Sequence, residues 1–310
     1  MRTGIRDVPV SSRTSERAYT QRTWIARRAN VRTVRLIRHQ ASGHAVLVAA
    51  TLVILSPFVW IVLSSFKTVP DFYHWPPSFW PKKFTLAHYD YVFGHFPLLW
   101  SYYVNSWIIT PAAVALTVAI STLAGYAFAR LNFRLSRTIF VVFVATLFLP
   151  TQIISVFVIY QITAAMGLLD TRLGLILPYT SLFLPMYVFI MRTTFRSLPD
   201  DIEEAARVDG ASSWQTFLKI MLPLAKPGIA VVLILSFVNV WGEYLWAMTL
   251  TSVHAIPIGF GITQIQTNMG GTDLPTMAAA YTIAILPPVI LFVALQRWFM
   301  GGLRGLSGAE

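Results

Sequence analysis

The chain has 310 residues, of which 55% are hydrophobic and only 12% charged, with a mean hydropathy of +0.61 and a formal charge of +11. A soluble fold of this size carries roughly 25% charged residues, so this composition excludes a water-covered globule and points to a lipid environment. With no Cys, disulfides and thiolate metal sites are excluded.

Residues 1–43 form a basic tail containing "RTWIARRANVRTVRLIRHQ", rich in Arg and almost free of acids. It has no apolar core before residue 44, so it is not a secretory signal peptide. It reads as a transit peptide, as a polybasic segment lying on anionic lipid, or as a disordered tail that only fixes orientation. An apolar run at 44–66 opens the membrane part. The following stretch, "VPDFYHWPPSFWPKKFTLAHYDYVFGHFPLLW" (69–100), is dense in Trp, Tyr, Phe and Pro, which suits a ledge at the membrane interface.

Further apolar runs lie at 104–129, 138–160, 173–195, 228–250 and 277–300. Together with 44–66 they predict six helices, since a lipid-embedded backbone must satisfy its own hydrogen bonds. Pro57, Pro150, Pro178, Pro185, Pro287 and Pro288 fall inside these runs. Each is tolerable only where a neighbouring helix or water meets the carbonyl that the ring leaves free. The expected fold class is therefore an all-α, six-span integral membrane protein. Its divisions are a tail (1–43), a first helix with the aromatic loop (44–103), a five-helix core (104–303) and a short tail (304–310).

Between the fourth and fifth runs stands "EEAARVDGASSWQTFLKIMLP" (203–223). Asp200, Asp201, Glu203, Glu204 and Asp209 crowd into a chain with 13 acidic residues in all. Asp200 with Glu203 has capping-box spacing, and acids in a first turn suit the positive end of the helix dipole. Ile202, Ala205, Ala206 and Asp209 share a face at helical spacing, and small residues let another surface approach. Gly210 stops this helix. Ser212 with Gln215 opens another, whose apolar side is Trp214, Phe217, Leu218 and Met221, and Pro223 and Pro227 end it. Two short amphipathic helices at a bend make either a lid on the membrane surface or a foot pressed into another protein.

Glu243 is the only acid inside a predicted span. An ionisable group there should face the bundle interior, a cavity or a partner. In "NVWGEYLW" it stands four residues after Asn239 and beside Tyr244. Polar groups with aromatic faces suit sugars, so Asn239, Glu243 and Tyr244 are candidate pathway residues, with Asn105 and Gln152 behind them. The bland reading makes Glu243 a hydrogen-bonding strut between helices. The stretch 251–275 is uncharged apart from Asp273 and carries Gln264, Gln266 and Asn268, as either a partner surface or a solvated connection.

Of the 24 Lys and Arg residues, only Lys67, Lys82, Lys83 and Arg172 fall on the side opposite the N-terminal tail. The positive-inside rule then places both termini and 199–227 in the cytoplasm. No GxxxxGK[ST] loop is present, so this chain hydrolyses no nucleotide by that means, and no HExxH, CxxC or GxSxG supports an enzyme. A proton- or ion-coupled secondary transporter using Glu243 remains an alternative, although such machines usually carry several intramembrane ionisable groups.

The spacing Glu204-Ala205-Ala206, Gly210, Ile220, Leu222-Pro223 resembles the EAA loop of ABC importer permeases. "AGYAFARLNFR", "FLPTQIISVFVIYQI", "GLLDTRLGLILPY", "MRTTFRSLP" and "MAAAYTIAILPPVILFVALQRWFMGGL" look like the MalG-type carbohydrate branch, the resemblance covering about 45–305. The resemblance implies that Glu203, Glu204, Ala205, Ala206, Asp209, Gly210, Ile220, Leu222 and Pro223 dock into a cytoplasmic ATPase. It implies as partners a MalF-type second permease, two ATP-binding cassette subunits and an extracytoplasmic binding protein that delivers a carbohydrate. The chain itself would bind no cofactor, ATP and Mg residing in the partners. Gly242 departs from the family, which often has Asn before this Glu.

Overall fold

The computed structural model describes residues 43–44, 46–131, 133–149, 151–268 and 273–307. Among the described residues the regular structure is helical, without a strand. The chain divides into two units, Met1–Trp60 and Ile61–Glu310. The described part of the first is most of helix α1 (Val46–Ser64), whose apolar side chains are exposed.

In the second unit α2 (Val69–Phe72) and α3 (Ala87–His95) lead into α4 (Pro97–Arg130), a helix of 34 residues. Then come α5 (Ser136–Ala145), extended by a 3-10 turn at Thr146–Phe148, and α6 (Thr151–Ala165). After α7 (Arg172–Ser181) and α8 (Leu184–Arg196) the chain enters α9 (Asp201–Val208). Next are α10 (Ser213–Thr216), a π turn at Phe217–Met221 and α11 (Leu222–Leu224). The series ends with α12 (Lys226–Trp241), α13 (Leu245–Leu250), α14 (Ile258–Asn268) and α15 (Leu274–Ser307).

By length and apolarity α1, α4 and Leu274–Arg297 of α15 can each cross a membrane, and up to six spans result if each bent pair counts as one. The bent pairs divide runs that the sequence predicts as single helices. Run 138–160 breaks by 105° between α5 and α6, and run 173–195 bends by 51° between α7 and α8. Pro185 opens α8, where its missing N–H costs nothing. Pro150 lies outside the described residues. Run 228–250 is two helices, because α12 stops at Trp241 and α13 restarts at Leu245.

The freed carbonyls of α15 have partners in neighbouring helices. Pro287 and Pro288 cannot donate to Ile283 and Ala284. The Tyr103 hydroxyl donates to the Ile283 carbonyl instead, and the Trp241 indole N–H donates to that of Ala284 at 2.9 Å. The core is correspondingly tight. A Cβ on Gly125 of α4 would come within 2.5 Å of the Met191 Cβ on α8, and one on Gly228 within 2.3 Å of Thr194.

The aromatic stretch 69–100 holds α2 and α3 and exposes Trp75, Trp80 and Phe84. The stretch 251–275 is the larger surprise. It is no solvated connection, because Ala255, Ile256 and Ile258 are buried and α14 sinks Phe260, Ile262 and Ile265 into the core. Gly261 permits this approach, since a Cβ there would stand 2.2 Å from the Tyr102 ring. The side chains of Gln266 and Asn268 lie outside the described residues.

Candidate functional site

The segment 199–227 is a bent foot seated on aromatic rings. Phe217 is buried against Tyr126 (4.8 Å between ring centres) and Phe195 (6.3 Å), with Trp214 stacked over it. Ser212 caps α10 by accepting from the Gln215 amide, while the Gln215 side chain accepts from the Ser212 amide, so the expected capping box forms. Gly210 has φ +79°. Its amide donates to the Arg207 carbonyl and that of Ala211 to Ala206, the paired bonds of a Schellman turn.

The first helix departs from expectation. Asp200 makes no side-chain cap, because its carboxylate accepts from the Arg130 guanidinium at the end of α4. Nη2 of Arg130 also donates to the carbonyls of Phe195 (2.8 Å) and Leu198 (2.5 Å). Nor do Ala205 and Ala206 form one approach surface. Ala206 and Glu203 turn inward and are buried, whereas Glu204, Ala205, Asp209 and Gly210 face solvent with Val208, which is 87% exposed. On the second arm Ile220 and Leu222 are half-buried and Pro223 is exposed. The arm stops at Leu224, between Pro223 and Pro227. They sit in the first turns of α11 and α12, and the chain turns by 72° into α12.

Glu243 lies in the gap between α12 and α13, so the helical i, i+4 relation to Asn239 does not hold. Its Oε1 accepts from the Trp246 amide (2.9 Å), and its Oε2 from the Ala247 amide (3.1 Å) and the Tyr179 hydroxyl (2.8 Å). A carboxylate here satisfies the free N–H groups of α13 and meets the positive end of its dipole. The Trp246 indole N–H donates to the Gln152 carbonyl (3.0 Å). Gln152, Trp246, Ser155 and Ser181 line a cavity of about 620 Å³.

The structure thus gathers Glu243 and Gln152 around Trp246 and places the other candidates elsewhere. Asn239 donates to the Tyr187 hydroxyl on α8 (2.9 Å), and Tyr244 packs edge-on to Phe260. Asn105, 1% exposed, is sealed: it donates to the carbonyls of His254 (2.8 Å) and Ile256 (3.1 Å) and accepts from Arg172 Nε (2.9 Å). So enclosed a side chain is a strut and lines no passage here. Sequence reasoning missed Tyr179, Trp246 and Arg130. The charge of Arg130 served only to set orientation, and its place one turn beyond Tyr126 was the available signal.

Sequence reasoning also missed Asp170. Its carboxylate accepts from the amides of Ser252, Val253, His254 and Ala255 and from His254 Nδ1 (2.9 Å). Burial opposes the charge, but the hydrogen bonds from Ser252, His254 and Val253 outweigh it and hold this carboxyl well below the usual carboxylate range.

Residues 118–305 match the family described as binding-protein-dependent transport system inner membrane component. The chain is 35% identical to the sulfoquinovosyl glycerol transport system permease protein SmoH of Agrobacterium fabrum, over 82% of this chain and 89% of that one. It is 33% identical to the trehalose/maltose transport system permease protein MalG of Thermococcus litoralis, over 81% and 90%. Among solved structures it is similar to a chain of a bacterial ABC transporter that imports the acidic polysaccharide alginate. The TM-score is 0.72 at 25% identity, covering 84% of this chain and 97% of that one.

Proposed function

Because the chain belongs to the family of binding-protein-dependent transport system inner membrane components, we propose that it is a permease subunit of an ATP-driven importer of carbohydrate. The observation that carries this reading is the match over 118–305, which includes the whole bent foot. A second permease would complete the pathway, and an extracytoplasmic binding protein would deliver the solute. The family is one of transport components, not of enzymes, and membership sets aside the ion-coupled alternative. Glu243 agrees physically, since its carboxylate is engaged as a cap and strut.

Finer points belong to the same reading. Taking α1, α4, α5 with α6, α7 with α8, α12 with α13, and α15 as spans gives six in a bacterial inner membrane and leaves the foot outside it, and the Lys and Arg asymmetry favours cytoplasmic termini. The foot then faces the cytoplasm, where Glu204, Ala205, Val208 and Gly210 form the exposed patch for one of two ATPase subunits. ATP and Mg would bind there and not to this chain. Copurification with a second permease and ATPase subunits, followed by vesicle uptake across a sugar panel, tests the proposal. Uptake that needs neither ATP nor a binding protein would overturn it.

A further inference from the structure

Arg130 and Glu203 face each other in the interior with their contact unmade. Arg130 Nε and Glu203 Oε1 are 3.9 Å apart, both side chains are largely enclosed, and neither atom has a hydrogen-bond partner. The other nitrogens of Arg130 are committed to Asp200 and to the carbonyls of Phe195 and Leu198. A charge-assisted bond closes at about 2.8 Å, so a shift of about 1 Å would make this one. Arg130 is already paired with Asp200, and Glu203 with the Tyr126 hydroxyl, so these four side chains form one polar cluster beneath the foot.

The opposite end of α4 is equally engaged. Asn105 holds the carbonyls of His254 and Ile256, and the Ser106 hydroxyl accepts from the Ile258 amide at 2.8 Å. A helix rises about 1.5 Å per residue, so about 37 Å of α4, with Pro111 inside it, separates Asn105 from Arg130.

We infer that Arg130 is a positioning residue for energy coupling, carrying displacement of the foot through α4 to the segment 254–258 that Asn105 and Ser106 hold. The inference rests on the reading of 199–227 as the coupling foot. In it, the Arg130–Glu203 gap closes when the foot is pressed inward, and α4 shifts with it. Coupling by this route needs the foot attached at one end of α4 and the segment 254–258 attached at the other, and both attachments are present.

The test uses the complete complex, with second permease, ATPase subunits and binding protein, reconstituted in vesicles. It reads sugar uptake per ATP hydrolysed, and amide hydrogen exchange of 252–265 with and without ATP. Arg130→Gln should lower uptake per ATP by about tenfold while ATP hydrolysis continues, and should abolish the ATP-dependent change in exchange. Arg130→Lys should restore part of both. Should Arg130→Gln fail to assemble, the isosteric Glu203→Gln carries the test, with an expected loss of about threefold in uptake per ATP. Wild-type coupling and exchange response in an assembled variant overturn the inference. A wild-type complex without binding-protein-dependent, ATP-driven uptake overturns the underlying functional reading instead.

Discussion

The hydroxyl of Tyr179 donates to Oε2 of Glu243 at 2.8 Å, joining α7 to the gap between α12 and α13. Glu243 also accepts from two amides of α13. Glu243→Gln keeps an acceptor and should leave uptake within about threefold, whereas Glu243→Ala strands buried donors worth about 1–3 kcal/mol. Melting of the purified complex together with uptake separates the two variants. Normal values for both would remove Glu243 from any role in the site.

Gly210 is left-handed at φ +79°, which costs an L side chain about 1 kcal/mol or more. Its Cβ position is open, so strain and reach, not a clash within the chain, decide the outcome. Gly210→Asn should be tolerated and Gly210→Leu should uncouple ATP hydrolysis from uptake. Unchanged uptake and hydrolysis in Gly210→Leu would remove the coupling role of the turn.

Trp241 meets the carbonyl that Pro288 leaves free. Trp241→Phe keeps the ring but orphans that carbonyl, at a cost of about 0.6–2 kcal/mol within a bundle. Thermal denaturation in detergent should show the loss. Trp241→Phe in a chain that also carries Pro288→Ala should lose less, since the helix can then bond its own carbonyl.

Gly125 leaves α4 and α8 no room for a larger side chain, its Cβ position being 2.9 Å from the Arg192 backbone nitrogen as well as close to Met191. Gly125→Val should destabilise by about 1–3 kcal/mol and lower assembly yield, as overpacking does. Gel filtration of the complex reads this directly.

The Asp170 carboxyl is depressed in the folded chain, so the sign of its pH dependence is fixed. Its contribution is fully present above the unfolded value of about 3.9 and fades as pH falls through the folded one. Asp170→Asn should therefore melt lower at pH 7, with the gap to wild type narrowing only below about pH 4. A gap unchanged across that range would assign the loss to packing alone.

The sequence revealed most where one residue type carries a local physical instruction. Gly210, the Ser212–Gln215 box and the apolar runs were legible because caps, left-handed turns and long apolar stretches act within a few residues of themselves. Asp200 and Glu203 were misread because local capping competed with Arg130, distant in sequence, and lost. The bends near 149 and 182 were hidden, since a run's hydropathy is the same straight or folded. The burial of 255–265 was hidden for a related reason: its partners Tyr102, Asn105 and Ser106 lie some 150 residues earlier.

Helix α14 is 11 residues long, about 17 Å at the usual rise, and so falls well short of the roughly 30 Å of hydrocarbon. It cannot be handed to lipid as a unit when the nascent chain emerges. Its place against Tyr102 exists only after α4 is seated. Burial of α14 thus waits on a docking step that follows the seating of α4, a tertiary event that hydropathy does not encode.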